Sequence, residues 1–246
     1  MSDTPSESLI SHLIELRTRL MRGIIGFVLT FICLFPFRNN LYAALAQPLI
    51  EQLPQGSHMQ AIGIISPVFI PLKVAMIAAF LVSLPYTLYQ IWSFVAPGLY
   101  RYEKRLVAPL VVLSTLLFLI GMAFAYFVVF PVIFNYTAHA APENVVNMPD
   151  IGYYLDIVTM LFLGFGVSFE VPLVVFALAR TGMVKIETLK ASRAYVIVGA
   201  FVAAAIFTPP DVLSQFLMAI PICLLYEAGI LAARLFGEKK TESAAS

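Results

Sequence analysis

Residues 74–100 contain no charged side chain, and neither do residues 106–142. Crossing the roughly 30 Å hydrocarbon layer of a bilayer takes about 20 apolar residues in a helix. Runs this long have no counterpart in an ordinary soluble core. Shorter uncharged runs occupy 23–37, 194–210 and 212–226, and 157–179 carries a single acid, Glu170. Apolar residues make up 61% of the chain and charged residues 12%, against roughly half and a quarter in soluble domains. The chain therefore reads as an all-α integral membrane protein. We expect six transmembrane helices at about 20–37, 68–93, 106–135, 153–179, 194–207 and 212–234, within one membrane domain spanning 1–236. The tract Ala138–Asp150 reads as a loop, and 237–246 as a flexible cytoplasmic tail.

The placement of the cations sets the expected orientation. Arg17, Arg19, Arg22, Arg101, Lys104, Arg105, Arg180, Lys185, Lys190, Arg193, Arg234, Lys239 and Lys240 fall on one side of this arrangement. Only Arg38 and Lys73 fall on the other. Positively charged loops stay in the cytoplasm, so both termini are expected there. The fifth helix is short for a span, and Thr208-Pro209-Pro210-Asp211 reads as the tight outer turn of a hairpin. At the N-terminus, Thr4-Pro5-Ser6-Glu7 has the pattern of a capping box with proline at the first helical position. It opens an amphipathic helix over 5–20, expected to lie at the interface before turning into the first span. Pro71, Pro85, Pro109, Pro131, Pro172 and Pro221 sit in or near the spans. They read either as tolerated kinks or as bends that together curve the bundle.

Several function classes find no support. No G-x-x-x-x-G-K-[ST], H-E-x-x-H or G-x-S-x-G motif occurs. His12, His58 and His139 share no helical spacing, so no metal or other cofactor is expected. Cys33 and Cys223 lie in apolar runs and read as small buried side chains. No basic stripe suits nucleic acid, and no internal repeat of the kind many carriers show is visible.

A few polar residues stand out. Glu170 is the one acid well inside an expected span, where a charge costs about 2.5–3.5 kcal/mol on insertion scales. It reads either as a protonated, hydrogen-bonded carboxyl or as a carboxyl in a water-filled groove, with Gly164, Gly166 and Ser168 allowing close approach. Glu15 and Glu103 sit in otherwise basic borders. Spacing alone favours a plain i,i+4 pair with Arg19 for the first and a solvated loop charge for the second. Two separated carboxylates there also suit guanidinium groups through bidentate bonds. Thr208 and Gln215 either hydrogen-bond within the hairpin or offer a docking patch to a single-span partner.

Taken together, these residues resemble the TatC family of the twin-arginine protein translocase. The matching strings are His12-Leu13-Ile14-Glu15-Leu16-Arg17, then Phe94-Val95-Ala96-Pro97-Gly98-Leu99-Tyr100 with Glu103 and Arg105. Gly121-Met122-Ala123-Phe124-Ala125-Tyr126-Phe127 and Phe165-Gly166-Val167-Ser168-Phe169-Glu170-Val171-Pro172 follow. Thr208-Pro209-Pro210-Asp211 and Ser214-Gln215 close the set, in family order over nearly the whole chain. The resemblance implies a six-helix, glove-shaped receptor in the bacterial cytoplasmic membrane, working in a multimeric complex and in contact with membrane lipid. It implies that Glu15 and Glu103, with Arg17, Phe94 and Arg105, bind twin-arginine signal peptides of folded substrate proteins. That reverses the reading from spacing alone. Glu170 and Tyr126 would face an intramembrane groove. Thr208 and Gln215 would dock the single-span subunits TatA and TatB, with Pro209, Pro210 and Asp211 forming the outer turn. The proton motive force would drive transport, in keeping with the missing nucleotide motif.

A proton-coupled carrier using Glu170 is the rival from another class; one buried acid and few polar midplane residues count against it. A purely structural scaffold differs in having no affinity for signal peptides. No nucleophile–base pair shares a depth, so catalysis is not expected.

Overall fold

A computed structural model describes residues 5–43, 63, 65–99, 107–140, 150–180 and 182–237. Its elements are helical throughout: α1 (Pro5–Leu34), a 3₁₀ turn (Phe35–Phe37), α2 (Ser66–Leu99), α3 (Val107–Phe124), a π-helical turn (Ala125–Val129), α4 (Phe130–Ala140), α5 (Ile151–Phe169), α6 (Val171–Arg180), α7 (Ile186–Ala191), α8 (Arg193–Phe207) and α9 (Val212–Gly237). Five helical stretches are long and apolar enough to cross a membrane: Leu13–Ala43, Ser66–Phe94, Val107–Ile133, Ile151–Arg180 and Val212–Leu235. They overlap five of the expected spans closely. The sixth expected stretch coincides with α8, whose 15 residues reach only about 22 Å.

The structure departs from expectation at its helix interruptions. The N-terminal segment does not turn before the first span, because α1 runs unbroken from Pro5 to Leu34. Nothing between Glu15 and Gly23 breaks a helix, and an uninterrupted ladder leaves no backbone group unsatisfied at the interface. Thr4 and the side chain of Glu7 lie outside the described residues, although the helix does begin at Pro5. The third stretch contains a π-turn just before Pro131, with the Phe130 N–H bonded to the Ala125 carbonyl. Widening the turn accommodates a proline that cannot donate into the ladder. Its last helix reaches Ala140, past the expected loop boundary. The fourth stretch breaks at Glu170, again beside a proline, Pro172. There the Glu170 N–H reaches Val167 O at 3.1 Å in a tighter turn, and the regular bond resumes with Val174 N–H to Glu170 O at 3.0 Å.

The helices sort into two packing units. The first comprises Met1–Thr115 with Met148–Leu155. Within it α1 lies along α2. Gly26 permits the approach, because a Cβ there would stand 2.6 Å from a Tyr86 ring carbon. At the other end of α2, Ile70 and Val74 pack on Ile151 and Leu155, with Leu41, Tyr42 and Tyr154 around them. Asp150 caps α5, its Oδ1 accepting the N–H groups of Gly152 at 2.6 Å and Tyr153 at 3.0 Å. Most of α1's apolar surface, including Leu20, Ile24, Leu29 and Ile32, is uncovered. In water such a surface would be untenable; in hydrocarbon it is the ordinary lipid face.

The second unit comprises Leu116–Asn147 with Asp156–Ser246. Helix α9 packs against α6 and α8. At the first contact a Cβ on Gly229 would lie 2.9 Å from the Pro172 backbone. Helices α3 and α5 meet even more tightly, because a Cβ on Gly121 would lie 2.5 Å from the Phe165 carbonyl oxygen. Phe165 is fully buried, and Phe124 leans on it and on Phe169 at ring separations of 5.6 and 5.7 Å. With little hydrophobic drive between helices in lipid, such small-residue contacts supply the packing. Hydroxyls within the apolar helices are satisfied locally. Thr30, Thr115 and Ser168 donate to carbonyls four residues back at 2.6–2.8 Å.

Candidate functional site

In the first unit the α1–α2 contact leaves a slot of about 320 Å³. Leu16, Arg19, Gly23 and Phe27 line it from α1, and Phe80, Thr87, Gln90 and Phe94 from α2. The α1 positions recur at helical spacing, so one face of the helix forms the whole wall. Glycine at 23 leaves the space open, since the nearest atom to a Cβ there, Thr87 Cγ2, is 4.0 Å away. Glu15 accepts from Arg19 Nη2 at 3.3 Å across one helical turn. Both side chains keep solvent access, 38% for Glu15 and 24% for Arg19. The plain i,i+4 pairing is therefore present. It also ties the carboxylate to a residue that lines the slot.

Phe94, half-buried, lines the same slot as Arg19, whereas Glu15 reaches the slot only through its pairing with Arg19. Arg17 is exposed and does not line it. Glu103 and Arg105 lie outside the described residues. Gln90 was not anticipated from the sequence. It is 5% exposed, and its Oε1 has no hydrogen-bond partner among the described residues. The available signal was a lone amide inside the uncharged run 74–100.

The remaining candidates belong to the second unit. Glu170 is half-buried at the α5–α6 break, where the helical ladder changes pattern. The break follows from Pro172, so the sequence places this acid at an irregular point of a membrane helix, where irregular backbone is tolerated if protein or water covers it. Tyr126 lies in the π-turn, edge-on to Phe127 at 4.9 Å and to Phe130 at 6.1 Å, and Phe130 stacks on Phe162 at 5.3 Å. Thr208 ends α8 in an extended conformation and is buried, its hydroxyl donating to Ala204 O at 2.7 Å. Pro209 and Pro210 follow. Asp211 then caps α9, its Oδ2 accepting the Ser214 N–H at 2.8 Å, and Gln215 stands half-buried on the first turn. Thr208, Asp211 and Gln215 are thus gathered about one tight turn, and Phe201 and Phe216 meet edge-on at 5.1 Å below it. Among the described residues no cluster of His, Cys, Asp and Glu suits a metal ion.

This arrangement has close relatives. A family model described as Sec-independent protein translocase protein (TatC) matches residues 11–221. A Sec-independent protein translocase protein TatC of Escherichia coli strain K12 is 50% identical over 96% of this chain and 92% of its own length. The protein of the same description from Haemophilus influenzae is 48% identical over 97% of this chain and 93% of its own length. A crystal structure described as the twin-arginine translocase receptor TatC superposes with a TM-score of 0.81 at 37% identity, covering 91% of this chain and 98% of that one. The sequence identity, the superposition and the apolar helices agree, and the chain belongs to the TatC family: a multi-span membrane component of Sec-independent, twin-arginine protein transport, and not a catalytic enzyme.

Proposed function

We propose that the chain is the receptor of its translocase and binds twin-arginine signal peptides of folded substrates. The observation that carries this reading is the half-exposed Glu15 carboxylate, held by Arg19 at the edge of an apolar slot shared with Phe94. A carboxylate in that setting exchanges one guanidinium partner for another at small cost. Guanidinium forks onto carboxylate in a way that a lysine ammonium does not match. Glu15 and Glu103 receive the two signal arginines, with Arg17 and Arg105 setting the local field. The solved relative described as a translocase receptor supports the assignment.

The wider reading follows the same family. A single domain over 1–236 crosses the bacterial cytoplasmic membrane six times as a glove-like bundle, α8 included, with both termini and the tail 237–246 in the cytoplasm. TatA and TatB dock at Thr208 and Gln215 beside the outer turn, Glu170 and Tyr126 line the intramembrane groove, and the proton motive force drives transport within a multimeric complex.

The test is binding of a labelled twin-arginine peptide to the full chain in nanodiscs, against a twin-lysine peptide and a Glu15→Gln, Glu103→Gln double variant. Binding by the arginine peptide alone, and only to the unaltered protein, is expected. Equal binding in all three cases would overturn the carboxylate assignment.

A further inference from the structure

Cations collect at one end of the second unit, where α6 stops, α8 starts and α9 finishes. Among the described residues Arg180, Lys185, Lys190, Arg193 and Arg234 lie there, with Glu187 and Glu227 as the acids. The Arg193 guanidinium is already forked onto Glu227, and Arg180 sits over the Phe176 ring at 5.8 Å. Lys185, Lys190 and Arg234 belong to no ion pair among the described residues. The backbone that carries them is fixed. Gly182, at φ 72°, makes the left-handed turn after α6, and the Val184 N–H returns to Leu178 O at 3.3 Å. Leu189 then packs with Val175, Tyr226 and Ile230, with Val184 and Ile186 beside them. Arg234 follows Tyr226 and Ile230 at four-residue spacing, so it continues the α9 face that holds α7. The same end also exposes apolar surface: Met183 is 63% and Tyr195 81% accessible.

We propose that this end of the second unit is a binding surface for anionic phospholipid headgroups, with Lys185, Lys190 and Arg234 on the lipid phosphates. The inference uses the membrane character of the chain and is independent of signal-peptide binding. Two features together select the occupant. Ammonium and guanidinium groups outside any ion pair call for anions. Exposed Met183 and Tyr195 call for a medium that is apolar on one side and polar on the other. A soluble anion answers the charge alone, and a neutral lipid answers the apolar side chains alone. A bilayer carrying anionic lipid answers both, since tyrosine settles at headgroup depth and cations adjoin the phosphate layer. Glu187, exposed on the same helix, reduces the excess of positive charge without cancelling it. Leu189 and Tyr226 pin α7, so binding orders side chains and leaves the backbone as it stands.

The experiment releases the full chain from nanodiscs of mixed phosphatidylglycerol and phosphatidylcholine and counts the retained lipids by native mass spectrometry. The unaltered protein is expected to retain phosphatidylglycerol in preference to phosphatidylcholine. A Lys185→Gln, Lys190→Gln variant is expected to lower that preference about fivefold for each cation removed, and Arg234→Gln by about fivefold. Lys185→Arg with Lys190→Arg should keep it. An Arg22→Gln, Arg38→Gln variant makes the same change in net charge away from the patch and should keep most of it. Melting temperatures in phosphatidylcholine alone should agree among all of these, which separates lost binding from lost folding. No preference in the unaltered protein, or an equal loss in the two double glutamine variants, would overturn the proposal. So would displacement of the retained lipid by inorganic phosphate, which would mark a site for soluble anions. A polyglutamate peptide that binds through Lys185 and Lys190 while lipid retention stays unchanged would mark a protein-docking surface, and the proposal would fail.

Discussion

The phenol of Tyr226 donates to the carbonyl of Leu189 at 2.7 Å, joining α9 to α7 across 37 positions of sequence. Next to it the Arg193 guanidinium forks onto Glu227, with Nε–Oε1 and Nη2–Oε2 both at 2.7 Å. The first contact is buried and the second is exposed. Their energetic weights should therefore differ, although the distances are the same. Tyr226→Phe strands a buried carbonyl and should destabilise by about 1 kcal/mol. Glu227→Gln gives up a solvent-screened pair and should shift stability far less. Thermal melts of the two variants in detergent check the order.

Helices α3 and α5 touch where glycine allows it. Gly121→Ala places a methyl within 2.5 Å of the Phe165 carbonyl oxygen. The helices must separate, at a cost of about 1–3 kcal/mol. Gly199, where an added Cβ would meet nothing within 4 Å, is the control. There alanine should be neutral or slightly stabilising, because it favours the helix. The same melts separate the two.

The outer turn depends on one side chain. Asp211→Ala removes the cap on Ser214 N–H and should cost about 0.5–2 kcal/mol, whereas Asp211→Asn should keep most of it. On the proposed reading the alanine variant also weakens the association of TatA and TatB with Thr208 and Gln215, measured by co-purification. Equal loss in the alanine and asparagine variants would show that charge matters there and capping does not.

If Glu15 receives a signal arginine, the attraction is between exposed charges and is screened by salt. Affinity for the twin-arginine peptide should fall as ionic strength rises past about 0.1 M, where the Debye length nears 10 Å. Glu15→Gln should flatten that dependence. A titration of binding against salt for both proteins checks it. An identical slope in both would place the electrostatic contact elsewhere.

The approximate places of five long apolar helices, the turn at Thr208–Asp211 and the pairing of Glu15 with Arg19 could all be read from the amino-acid sequence. Partition into hydrocarbon is nearly additive along a helix, and capping and i,i+4 contacts reach only a few residues, so local order suffices. The family motifs added Phe94, which lines the slot. The sequence also carried the prolines behind the π-turn and the break at Glu170, though not how each would be absorbed. A widened turn at Ala125–Val129 and a tightened one at Glu170 are two answers to the same missing donor, chosen by the surrounding packing. Only the tertiary structure decided which helix faces meet. Gln90 looks like any polar residue in an apolar run until α1 is laid against α2, and Gly23 like any glycine until the space beside it is seen to be empty. Such features depend on pairs of residues some 70 positions apart. Contacts of that kind have no local periodicity, and close packing alone determines them.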